Sequence, residues 1–95
     1  MNQTSTGLAI GEVRRAGATA HVEWEAFDNA SPLRRCEYSL DAASWVPMEA
    51  ADGVIDSMRE RFALDLSNLA PGEHLLVIRA ADSANNTGLI KVILK

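Results

Sequence analysis

The chain has 95 residues, 47% of them apolar, a net charge of −4 and a single cysteine. That describes one domain with a modest core, too apolar for a disordered chain. The negative charge argues against nucleic acid, whose phosphates need clustered Lys and Arg, and against adsorption to anionic lipid. No apolar run approaches the ~20 residues that insert across a bilayer.

The first seven residues, "MNQTSTG", are polar, lack signal-peptide character and read as a disordered linker or an expression remnant. One domain is expected over 8–95, as a piece of a longer protein. "RRAG" (14–17) reads as a turn. In "ATAHVEWEAF", Ala20, Val22, Trp24 and Ala26 share one face, and Thr19, His21, Glu23 and Glu25 the other, the period-two signature of a half-buried strand. "DNASP" (28–32) is a second turn. In "RCEYSL", Cys36, Tyr38 and Leu40 alternate with Glu37 and Ser39. "DAAS" (41–44) turns the chain again.

The segment 48–60 breaks the pattern: it is acidic, does not alternate, and is expected to form a long loop or one helical turn. "RFALDLSNL" resumes alternation with Phe62, Leu64 and Leu66 inward. Pro71-Gly72 is the strongest turn signal, since proline presets φ and glycine supplies φ > 0. "HLLVIRAAD" and "LIKVILK" are apolar on both faces, so both belong centrally in a sheet. Between them, "SANN" (83–86) is a corner in which Asp82 accepts from backbone N–H groups and Asn85 takes a left-handed conformation. About seven short strands separated this way predict an all-β fold, a two-sheet antiparallel sandwich with Trp24, Tyr38, Leu64, Leu66, Leu76 and Ile78 at its centre.

Candidate chemistry is sparse. Asp52, Asp56 and Glu60 are spaced four apart and would share a helix face able to hold calcium, but turn and cap roles explain them more simply. The two histidines, His21 and His74, lie on different strands with no Cys or His at ligand spacing, which argues against zinc. Cys36 lacks a neighbouring base and reads as a core thiol, so it forms no internal disulfide and packing supplies the stability. Trp45 offers a ring on which a sugar could stack, against a simpler role covering the edge of the core. With no converging acid, base and nucleophile, no enzyme, catalytic residue or cofactor is expected. The second apolar face, assigned to Leu75, Val77, Ile90 and Val92, is the expected contact for a neighbouring domain, and an edge strand offers a route to weak self-association.

Trp24 in "VEW", Tyr38 in "EYSL" and the run "SNLAPGEHLLVIRAAD" resemble the fibronectin type III superfamily. With "AFDNASPLRRCEYSLDAASW", "DGVIDS" and "DSANNTG", the likeness extends to bacterial Ig-like modules that follow β-propeller repeats in secreted proteins. The resemblance implies a Trp and a Tyr packed across two sheets. It also implies a non-catalytic accessory module, extracellular or periplasmic within a longer chain. One departure stands out: His74 occupies the corner where the family carries a tyrosine that bonds backbone. A ring nitrogen is expected to take over that bond.

Overall fold

A computed structural model describes residues 6–29, 31–50 and 58–95. Seven strands follow one another: β1 (Thr6–Ala16), β2 (Thr19–Asp28), β3 (Leu33–Leu40), β4 (Val46–Met48), β5 (Arg59–Leu66), β6 (His74–Asp82) and β7 (Thr87–Leu94). Among the described residues there is no helix, hence none long and apolar enough to cross a membrane. The strands form two antiparallel sheets, β1-β2-β5 and β4-β3-β6-β7.

Period-two alternation supplies the core. Val22, Trp24 and Ala26 from β2 meet Leu76 and Ile78 from β6 across the sandwich, with Phe62, Leu64 and Leu94 closing around them. Trp24 and Phe62 are register partners on β2 and β5, and their rings stack at 5.7 Å between centroids, 13° from parallel. Such pairs add ~0.5–1.5 kcal/mol beyond the area they bury. Tyr38 and Leu66, expected at the centre, are only partly buried and pack against the cluster from its margin.

Four expectations are corrected. β1 begins at Thr6, so Thr6 and Gly7 belong to the sheet; residues 1–5 lie outside the described residues. Arg14 and Arg15 of "RRAG" are strand residues, and the turn itself is Gly17-Ala18. Segment 48–60 contributes a strand at each end: Met48 closes β4 and Arg59 opens β5. Finally, β7 is an edge strand and not a central one, and its inward face carries Ile90 and Val92, which pair with Ile78 and Leu76, so neither belongs to an outer face.

Two seams tie the sheets together. At one, β7 approaches β1 so closely that a Cβ on Gly88 would lie 2.1 Å from the Thr6 carbonyl oxygen, which only glycine tolerates. There the Thr6 hydroxyl donates to Asp28 Oδ2 at 2.8 Å, with the Asn86 carbonyl 3.1 Å away. At the other, Arg15 spreads its guanidinium over four carbonyls. Nε donates to Gly17 (2.8 Å), Nη1 to Gly72 (2.9 Å) and, more weakly, Leu94 (3.4 Å), and Nη2 to Ala70 (3.0 Å).

Candidate functional site

The "SANN" corner is satisfied from within. Asp82 is fully buried; its Oδ1 accepts from the Ala84 and Asn86 N–H groups (2.9 and 2.8 Å), and its Oδ2 from Asn86 Nδ2 (2.9 Å). Asn85 sits at φ 66°, a left-handed position that asparagine tolerates. Both carboxylate oxygens of Asp82 are thus bonded within the turn and hold the corner's shape.

The His74 corner also forms. Its Nε2 donates to the Ala70 carbonyl at 2.7 Å, and its Nδ1 lies 2.5 Å from Asp41 Oδ2. Asp41 in turn accepts the Leu75 N–H at 2.9 Å. The Ala70 carbonyl first, then Asp41, raises the pKa of His74, and the His74 contact lowers that of Asp41. Both ring nitrogens face acceptors, so the imidazolium is the form that fits.

Cys36 is 1% exposed, and burial pushes its thiol up to about 11. The buried Trp24 Nε1–H makes no well-formed hydrogen bond, and its approach to Cys36 acts against burial on the thiol without outweighing it. This thiol stays protonated and inert at neutral pH.

Of the carboxylates considered for calcium, Asp52 and Asp56 lie outside the described residues. Glu60 is on β5, paired with Ala26 and buried, so it is not on a helix face. Trp45 is half-buried outside the core cluster, with the Arg79 guanidinium 3.8 Å from its ring centroid. Arg79 also donates to Glu37 at 2.9 Å. A sugar stacking on that face of Trp45 would have to displace a cation–π contact that a second bond holds in place.

The outer face of the four-stranded sheet is where the apolar surface gathers. Leu75 pairs with Ile93, Val77 with Lys91 and Arg79 with Leu89. Leu89 and Ile93 are 56% and 55% exposed, and Leu75 37%. Arg35, Arg79 and Lys91 lie among them, with Glu37 between Arg35 and Arg79 and Asp41 at the edge beside Leu75, so cations outnumber carboxylates here on an acidic chain. Leu75 and Val77 lie where the sequence places them; Leu89 and Ile93 take the places assigned to Ile90 and Val92.

On the outer face of the other sheet, His21 lies between two carboxylates. Its Nε2 is 2.6 Å from Glu23 Oε2 and its Nδ1 2.6 Å from Asp65 Oδ1; Glu23 first, then Asp65, raises its pKa. A bulge between Ile10 and Val13 sets Gly11 and Glu12 against β2 near Glu23, and one ligand atom each from Glu12, His21 and Glu23 falls within 4.8 Å of the others. Sequence reasoning missed this group. The His-x-Glu spacing at 21–23 was a usable signal, but the bulge that brings in Glu12 leaves no periodic mark.

No family model matches the chain, and no curated protein matches it. Among solved structures it is similar to the sulfane dehydrogenase SoxCD from Paracoccus pantotrophus, at 21% identity over 87% of this chain with a TM-score of 0.69. The match spans 23% of that longer chain. At such identity the likeness carries the fold alone.

Proposed function

We propose that this domain is a fibronectin type III-like, non-catalytic accessory module of a larger exported bacterial protein, docking or spacing a neighbouring domain. The order β1-β2-β5 against β4-β3-β6-β7, and the His74 ring bonded four residues upstream in the manner of a tyrosine corner, support the family reading. The similar fold in SoxCD, a minor part of a longer chain, supports the role of a component.

The observation that carries the docking reading is the row Leu75, Val77, Leu89 and Ile93 across two paired strands. Such a row, interleaved with Arg79 and Lys91, suits an apolar surface edged with carboxylates. The alternative, weak binding of glycan or calcium through Trp45 or the acidic segment, gains nothing from Trp45, whose ring already holds Arg79.

Hydrogen exchange on the parent chain tests the proposal. Carrying Leu75→Glu and Ile93→Glu together, the parent should show faster exchange in the adjoining domain's contact surface while this domain unfolds at an unchanged denaturant midpoint. An adjoining domain whose exchange does not respond, or a parent gene that encodes none, removes the basis for docking.

A further inference from the structure

We propose that Glu12, His21 and Glu23, on the outer face of the three-stranded sheet, form a binding site for a zinc ion, with Asp65 orienting the histidine. The docking reading concerns the opposite sheet, and neither depends on the other.

The donor set is the first argument. Imidazole nitrogen with two carboxylates suits Zn²⁺, which takes nitrogen and oxygen ligands at ~2.0–2.2 Å; a hard cation such as calcium prefers oxygen throughout. Two ligands of a tetrahedral ion lie ~3.4 Å apart. The three donor atoms lie within 4.8 Å of one another, so small side-chain rotations bring them to that spacing. The sequence argument against zinc counted Cys and His partners only; here oxygen completes the set.

The scaffold is the second argument. His21 and Glu23 are two apart on β2 and so project from the same face. Glu12 reaches that face through the β1 bulge, a device that re-aims a side chain. All three sit on paired strands, which fix positions more tightly than loops. Without a metal, Arg14 holds Glu12 at 3.0 Å and the His21 ring holds Glu23 at 2.6 Å, so both carboxylates are already kept in place beside one another.

The third argument is the tautomer. Asp65 on β5 takes the Nδ1 side of His21, leaving Nε2 towards Glu23. A histidine that binds metal through one nitrogen characteristically donates its other N–H to a carboxylate, which fixes the ring and raises its basicity. On binding, Zn²⁺ replaces the Nε2 proton, which leaves to solvent, while Nδ1–H stays on Asp65. Three protein ligands leave one position for water.

Titration of the ¹⁵N-labelled chain with Zn²⁺ near neutral pH, following the histidine ring nitrogens, tests the site. One equivalent should move the His21 Nε2 resonance and leave His74 in place. Glu12→Gln, exposed and nearly isosteric, should weaken binding at least about tenfold without altering the fold, and Asp65→Asn should weaken it by about 10–100-fold. No binding below about 1 mM Zn²⁺, saturation that moves His74 or Cys36 instead, or binding that Glu12→Gln leaves intact would each overturn the proposal.

Discussion

His74 and Asp41 bridge the start of β6 and the turn after β3, with Nδ1 and Oδ2 2.5 Å apart. Asp41 and Ala42, at φ 53° and 63°, form a left-handed two-residue turn without glycine. Such a turn costs the backbone energy that surrounding contacts must offset. The Asp41 carboxylate does so by holding the Leu75 N–H and the His74 ring together.

This pair makes stability depend on pH. His74 is raised in the folded state, so its contribution is complete below the unfolded value near 6.5 and is lost as pH rises through the higher folded value. Asp41 is lowered, so its contribution is present above 3.8 and is lost as pH falls through the lower folded value. Denaturant midpoints of the wild type and His74→Gln should therefore differ most in the mildly acidic range and converge on the alkaline side. Because His21 titrates in the same direction, the comparison has to be the difference between the two proteins. A gap that stays constant from pH 5 to pH 9 would show that the ring acts by packing alone.

Trp24 fills the centre of the core at 2% exposure and stacks on Phe62. Trp24→Ala removes the stack and opens a cavity between the sheets, and we expect a loss of ~3–5 kcal/mol in reversible urea unfolding. Trp24→Phe should recover much of it, since the indole N–H it deletes makes no well-formed hydrogen bond. A loss below about 1 kcal/mol for the alanine variant would remove Trp24 from the core.

Cys36 should be silent to a thiol reagent at neutral pH. Its burial and high pKa leave unfolding as the route to reaction. The labelling rate should rise with denaturant in step with the unfolded fraction. Rapid labelling of the native protein would show that β3 and β6 separate locally.

How much of this was legible in the sequence follows from physical range. β2 and β5 could be read because one face of each is apolar and the other polar, so alternation names the inward residues. β7 could not, because "LIKVILK" is apolar on both faces; the pairing of Leu75 with Ile93 decides, and a slip of one residue inverts every side chain. That is why Ile90 and Val92 proved internal. Glu60 looked like a loop carboxylate because nothing local marks the start of β5 at Arg59. The His74 corner and the Asp82 turn are short-range and were readable. The Glu12–His21–Glu23 group depends on a bulge and on the pairing of two strands, and composition holds no trace of either.

Arg15 carries a mechanical consequence. Its guanidinium reaches the β1–β2 turn, the β5–β6 connection and the last strand at once. Tension applied between β1 and β7 would strain these bonds together with the Thr6 clasp at the other seam, where peeling would break them one by one. In the proposed spacer role, such a rivet would add resistance to shear with no added mass in the core.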